Sequence, residues 1–422
     1  MPNHMFSIAP ATLGQYLTTI PLMTVLAILF YVAIVMLVFK PFRSALTKNI
    51  HLPRPASGVY ISNLEIVRAF AIIHVVSVHC WQWIQPYNDS ILNIIPLLAT
   101  TIQSVPIFCA LSGFLITMSL KMNVRDLPSL RQYFIRRFLR IYPLYLVVVL
   151  VAFLLGQTQS NPTTAHGLIT EVMMFRIWGL PAYFSVPTSW SLYPEVTFYV
   201  FMPALILFSG RRFNWTLVLI MLASIFVGAG TPREFQLIPF FTAGAIAYEL
   251  YIFMHGKQQS DKPWPQWIIA TMLLVALYIL ILDVKQLYFL SYPQHLFETL
   301  TGYTFPLPRR RSPELCLSII LLFPSMSLIR MKWISCYPIR FISTISYSIY
   351  LWHALLLIAS FPIGTNESGQ LSSMASMPPI DGGFSYFFIF FPAVIFISTM
   401  SYLFIEKPFL RLRARAAKRS TC

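Results

Sequence analysis

Between Ser62 and Trp83 the sequence SNLEIVRAFAIIHVVSVHCWQW is apolar over the length needed to cross a bilayer, yet it carries Arg68, His74 and His79. About 20 apolar residues wound as a helix match the roughly 30 Å hydrocarbon core. Inside that core a charged or titratable side chain needs protein or water around it, which makes it a functional candidate. Arg68 and His79 are eleven positions apart, so at 100° per residue they fall about 20° from alignment and about 16 Å apart along the axis. The spacing predicts a polar track on one face of a single helix. Two readings fit such a track. Arg68 snorkels to the interface while the histidines pack against neighbouring spans, or a histidine exchanges protons beside a cation.

The rest of the chain imposes the same constraint. Of its 422 residues 57% are hydrophobic and only 10% charged, and the mean hydropathy is +0.68. That excludes a soluble globular domain and implies an all-α, polytopic membrane protein. Lys and Arg number 30 against 14 Asp and Glu. In such a chain the excess is topological, because basic residues collect in cytoplasmic loops; nucleic-acid binding does not follow. The cysteines (Cys80, Cys109, Cys316, Cys336, Cys422) lack CxxC spacing and lie in or beside apolar runs, so neither a metal site nor a disulfide framework is expected.

Taken in order, the chain reads as about eleven transmembrane helices. The first, Ile20–Phe39, has no basic segment before it and no small-residue cleavage signature after it, so it is expected to be retained. No Lys or Arg precedes Thr19, whereas Lys40, Arg43, Lys48 and Arg54 follow the span, which places the N-terminus outside. The second span rises from Arg68 on the cytoplasmic side, and the third, Leu97–Leu120, returns to a strongly basic loop. That loop holds Lys121, Arg125, Arg131, Arg136, Arg137 and Arg140 against Asp126 alone. Its arginines either set topology or bind an anionic ligand, whose phosphates they match in charge and geometry. A fourth span runs Tyr142–Leu155, and Leu168–Pro187 either lies along the outer surface or re-enters it. In SWSLYPEVTFYV, Ser191, Glu195 and Tyr199 repeat every four residues and share a face. Glu195 is expected at the outer end of a fifth span, as a helix-start charge or as a catalytic or substrate-binding group. Further spans are expected near Thr216–Ala229, Leu237–Met254, Trp267–Leu282 and Leu315–Ile329, then through ISTISYSIYLWHALLL and Phe384–Ile405, with the basic tail inside. Ser346, Tyr350 and His353 fall on one helical face and read as packing. Asp283–Pro313 is placed outside; an additional span there would invert everything downstream.

Five stretches, in order, resemble the acyltransferase 3 family, integral membrane acyltransferases that modify surface sugars. They are the Arg-x10-His pair Arg68 and His79, SGFLIT at Ser112–Thr117, RRFLRIYPLY with Arg136, Arg137 and Arg140, SLYPEVTFY with Ser191, Leu192 and Glu195, and the C-terminal ISYSIYLWH and IEKPF. The resemblance implies a ten-helix acyltransferase core over residues 61–410, preceded by one extra helix and a basic loop (1–60) and followed by a basic cytoplasmic tail (411–422). It implies an inner-membrane enzyme without a metal that takes an acyl group, usually acetyl, from cytoplasmic acetyl-CoA. The acceptor would be a hydroxyl of a carbohydrate or glycolipid such as O-antigen or exopolysaccharide. Acyl transfer needs a base for the hydroxyl and donors for the oxyanion. His79 is expected as base or transient acyl carrier, Arg68 as a thioester, phosphate or oxyanion contact, and Arg136, Arg137 and Arg140 as holders of coenzyme A. Glu195 is expected to orient the imidazole or bind the sugar, supported by Ser191 and Tyr199, with Ser112 in a small-residue element suited to close backbone approach. A rival reading is a proton-coupled transporter or translocator of a lipid-linked sugar, which also needs intramembrane Arg, His and Glu; its broken-helix repeats are not visible.

Overall fold

In the computed structural model the residues described are 25–34, 36, 44, 63–84, 104–156, 165–174, 186–226, 235–260, 263–284, 313–329, 337–360, 363–365, 371–373 and 383–412. Nearly all of them are helical. The helices are α1 (Val25–Ile34), α2 (Leu64–Ile84), α3 (Ser104–Asn123), α4 (Leu127–Gly156), α5 (Ala165–Val172), α6 (Leu192–Ser209) and α7 (Phe213–Phe226). Then come α8 (Ile238–Gln258), α9 (Gln266–Val284), α10 (Pro313–Leu328), α11 (Tyr337–Thr344), α12 (Ser346–Ser360) and α13 (Gly383–Ser401). The apolar runs read from the sequence coincide with these helices wherever they are described. Among the described residues five stretches are long and apolar enough to cross a membrane: Ser104–Asn123, Leu127–Leu155, Thr188–Ile225, Phe235–Gln258 and Phe388–Leu412. The chain is a membrane protein. Among the described residues the extended structure is a short ribbon in which β1 (Ile363–Thr365) pairs antiparallel with β2 (Leu371–Ser373). The uncertain segment after Asp283 lies almost wholly outside the described residues, as do most of the N-terminal unit and of the basic tail.

Most of the basic segment before Tyr142 is not a loop. Lys121 lies at the end of α3, Arg125 lies in the turn that follows, and Arg131, Arg136, Arg137 and Arg140 belong to the first part of α4, an uninterrupted 30-residue helix about 45 Å long. Its start is fixed by a reciprocal cap: Ser129 donates its backbone N–H to Asp126 Oδ1 at 2.9 Å, and Asp126 donates its own to Ser129 Oγ at 3.0 Å. The Ser129 hydrogen bonds hold the exposed Asp126 carboxyl below its ordinary value of 3.8. Arginine is a good helix former, so nothing after the cap stops the helix before the membrane. The expected tenth span is likewise two helices, α11 and α12. Beyond α13 the chain winds as a π-helix over Tyr402–Glu406 before resuming α-helix to residue 412.

Lipid supplies no hydrophobic drive between helices, so close packing of small residues must hold them. α8 is the hub, set against α3, α7 and α10, while α2 packs on α3, α11 and α12. At the α3–α8 crossing the backbones touch. A Cβ on Gly113 would lie 2.0 Å from the Phe241 carbonyl oxygen, and one on Gly244 would lie 1.8 Å from the Ala110 carbonyl oxygen. Polar ties flank this contact. Lys121 Nζ meets Glu249 Oε1 at 2.6 Å, joining α3 to α8. The Asn63 amide donates to the Met326 and Ile329 carbonyls at 2.8 and 3.0 Å, satisfying acceptors that the end of α10 leaves open.

Candidate active site

A cavity of about 360 Å³ opens where α2, α3, α4, α6 and α12 meet. Arg68 enters it from α2, Ser112 from α3, and Arg136, Arg137 and Arg140 from α4. Ser191, Glu195 and Tyr199 enter from the start of α6, and Tyr347 and Tyr350 from α12. Sequence stretches up to 282 positions apart thus converge on one chamber. Every site residue expected from the sequence lines it except His79.

Glu195 is the chamber's acceptor. Its Oε1 takes a hydrogen bond from Ser112 Oγ at 2.8 Å and a short one from the Tyr199 hydroxyl, one helical turn further along. Ser112 reaches it because α3 also packs against α6. Arg68 feels Glu195 and Glu65 as opposite charges and Arg140 as a like one. Glu195 and Arg68 therefore stand together in one chamber, and not at opposite ends of their spans as the charge pattern predicted. In the 3-10 turn Pro187–Ser191 that leads into α6, Thr188, Ser189 and Ser191 are buried in the protein. Of the two expected supports for Glu195 only Tyr199 touches it. Ser191 Oγ instead lies 2.5 Å from the Tyr350 hydroxyl, both within reach of the Thr188 carbonyl at 3.2 and 3.3 Å.

The arginine wall is unevenly held. The Arg137 guanidinium stands over the rings of Tyr133 and Tyr199, 5.4 and 5.1 Å from their centroids, and donates to the Leu115 carbonyl at 3.5 Å. Stacking of this kind suits a planar guanidinium and fixes its position. Arg140 also faces Glu406, a buried carboxylate that accepts a short hydrogen bond from Ser348. Sequence reading passed over Glu406 as part of a motif; its signal was a lone acid closing a 20-residue apolar run, and the π-helical turn aims it inward.

His79 lies beyond the chamber. Its Nδ1 is 2.9 Å from Nε2 of His353, with the rings nearly parallel at 8° and their centroids 5.2 Å apart. The His353 ring, fully buried, sits 5.8 Å from that of Tyr350. Tyr350 therefore forms the chamber's end on one side and touches the histidine pair on the other. The polar track continues from Arg68 to His79 through α12 rather than along α2 alone. His353 and Tyr350 read as packing in the sequence because their partners are remote; His79 is 274 positions away. His74, also on α2, bonds the buried Ser104 hydroxyl. Among the described residues no three His, Cys, Asp or Glu converge to hold a metal ion.

A family model described as an acyltransferase domain matches residues 61–403. The chain is 34% identical over 161 residues to a Streptomyces mycarofaciens protein named acyltransferase MdmB, covering 35% of this chain and 40% of that one. It is 26% identical over 315 residues to a putative acetyltransferase of Acidianus two-tailed virus, covering 70% of this chain and 83% of the viral one. No solved structure matches the chain.

Proposed function

The chain belongs to the acyltransferase family, and we propose that it is an integral membrane O-acyltransferase, moving an acyl group from cytoplasmic acyl-CoA to a carbohydrate hydroxyl. Acetyl is the acyl group and a surface glycan such as O-antigen or exopolysaccharide the acceptor. The observation that carries this reading is the single chamber that runs from three arginines, past Arg68 and Glu195, to a tyrosine backed by two histidines. At about 360 Å³ it is near the lower end of small-molecule pockets, roughly 300–1,000 Å³. That suits an acyl-pantetheine arm, with the nucleotide phosphates left at the mouth. Arg136, Arg137 and Arg140 offer the charge and planar donors that phosphates require.

In this reading His79 takes the proton of the acceptor hydroxyl as the hydroxyl oxygen attacks the acyl carbonyl. Arg68, about 16 Å back along α2 from His79, contacts a phosphate of the donor together with the arginines of α4. When the adduct collapses, the carbon–sulfur bond breaks and the coenzyme A thiolate takes the proton back from His79, leaving an ester and a free thiol. Glu195, held by Ser112 and Tyr199, orients Arg68 and offers an acceptor to a sugar hydroxyl. Ten helices over residues 61–410 form the core, joined by the N-terminal helix, in the inner membrane with the N-terminus outside and the C-terminus in the cytoplasm.

The test uses membranes carrying the wild-type protein or its His79→Ala variant, supplied with radiolabelled acetyl-CoA and surface glycans of the host. Label is expected in the glycan with wild type and not with the variant. Equal labelling in both removes His79 from the chemistry; none with folded wild type across the host's glycans refutes acyl transfer from acetyl-CoA.

A further inference from the structure

The histidine pair is tied at one end to the main chain, and the tie fixes where its protons sit. His353 Nδ1 lies 2.9 Å from the carbonyl oxygen of Ile349, one turn earlier in α12. A carbonyl oxygen only accepts, so Nδ1 carries the hydrogen. In a neutral imidazole the other nitrogen is then the acceptor. His353 Nε2 therefore turns a lone pair toward His79 Nδ1, 2.9 Å away. Two lone pairs repel at that distance, so His79 Nδ1 carries its hydrogen as well. The free lone pair of His79 is left on Nε2.

From this order we infer that His353 is a positioning residue that holds His79 as its Nδ1–H tautomer, with Nε2 bare to accept the proton of the acceptor hydroxyl. The inference rests on the acyl-transfer reading, in which His79 is the base. His353 is suited to the task because its own ring is locked: it is completely buried, seated against Tyr350, and bonded at both nitrogens. When His79 Nε2 gains the substrate proton, the Nδ1–H bond to His353 becomes charge-assisted and roughly doubles in strength. That strengthening arises only as the reaction proceeds, which is the kind of interaction that speeds a step rather than merely binding substrate. The proton moves no further, since the chain ends at a carbonyl that cannot bind it. It travels from the acceptor oxygen to His79 Nε2 and from there to the coenzyme A sulfur, while the His353 hydrogen stays in place. The pair stores one charge for one cycle.

Two variants separate positioning from packing. His353→Phe keeps a ring and removes the acceptor; His353→Gln places an amide oxygen where Nε2 stands. Nitrogen-15 spectra of the histidine-labelled protein in detergent, with His79 assigned by its Ala variant, should show Nδ1 protonated in wild type and in His353→Gln, and a tautomer mixture in His353→Phe. With acetyl-CoA and the glycan acceptor, His353→Phe should lose about 100-fold in kcat, at the lower end of what a general base contributes (roughly 100-fold to 10,000-fold). The KM for acetyl-CoA should stay within about twofold, and His353→Gln should recover at least about tenfold of the loss. A wild-type His79 protonated at Nε2, or a folded His353→Phe with wild-type kcat, overturns the inference. If wild type transfers no acetyl, the acyl-transfer reading fails while the spectra still decide the tautomer. Should His353→Phe not fold, the wild-type spectrum and His353→Gln carry the test.

Discussion

Replacing Gly113 by alanine pits two effects against each other. In an open helix the change gains roughly 0.8–1 kcal/mol from helix propensity. At Gly113 the new methyl would stand 2.0 Å from the Phe241 carbonyl oxygen, where ordinary contact begins at 3.4 Å. The atom in the way is backbone, so α3 and α8 must separate by about 1.4 Å to relieve the overlap. Overpacking of this kind costs roughly 1–3 kcal/mol, occasionally more, which outweighs the propensity gain. The displacement also carries Ser112 with it. Its 2.8 Å bond to Glu195 would stretch beyond hydrogen-bond range, and a hydrogen bond to a charged group is worth about 1.5–3 kcal/mol, or about ten- to a hundredfold in rate. Gly256, on the same helix α8, is the internal control, for nothing lies within 4 Å of its Cβ position. Thermal unfolding in detergent and thiol release from acetyl-CoA should therefore split the two variants. Gly113→Ala is expected to melt lower and turn over at least tenfold more slowly, whereas Gly256→Ala melts at or above wild type with unchanged turnover. A Gly113→Ala protein that melts like Gly256→Ala refutes the backbone contact.

Glu195→Gln keeps an acceptor oxygen for Ser112 and Tyr199 but removes the charge that faces Arg68; melting should change little while turnover drops about ten- to a hundredfold. Arg137→Ala empties the space over two tyrosine rings, at a cost of about 0.5–2 kcal/mol, and should raise the KM for acetyl-CoA. Arg137→Lys restores the charge without the planar stack, so titration of the donor should show only partial recovery. The cap of α4 sets a pH response. The folded Asp126 carboxyl is held below 3.8 by its Ser129 hydrogen bonds, so its stabilisation is complete above that value and is lost as the pH falls through the lower folded one. Hydrogen exchange at the Ser129 amide, corrected for intrinsic rate, should stay protected from pH 7 down to about 5 and open only in stronger acid; in Asp126→Asn that acid limb should disappear.

The positions of the apolar spans were legible because hydropathy over about 20 residues is a local property. Arg68, Glu195 and the arginines of α4 were legible for a different reason: charges inside or beside apolar runs stand out, and the chamber gathers them. What the sequence hid was relative depth and partnership. Glu195 read as a charge remote from Arg68 because hydropathy cannot show which helix ends the packing brings together. The helical start of α4 read as a loop because its charges masked a four-residue capping box, Asp126–Ser129. Tyr350 and His353 read as packing because nothing local distinguishes a buried polar side chain with a remote partner from one without. Their meaning depends on Ser191 and His79, brought near only by the packing of α2, α6 and α12.

The π-helical turn after α13 bears on which changes of length this chain can absorb. A π segment amounts to one residue added to a regular helix, widened so that both flanks keep their alignment. Tyr402 and Glu406 are buried on its inner side, whereas Phe404 on the outer arc is 76% exposed. The surplus residue is thus carried where only its own side chain meets the surroundings. Deleting Phe404 lets the backbone close to ordinary α-helical winding while Glu406 still faces Ser348 and Lys407 keeps its orientation. In a helix wound regularly throughout, the same deletion would swing that carboxylate by about 100°, away from Ser348 and Arg140.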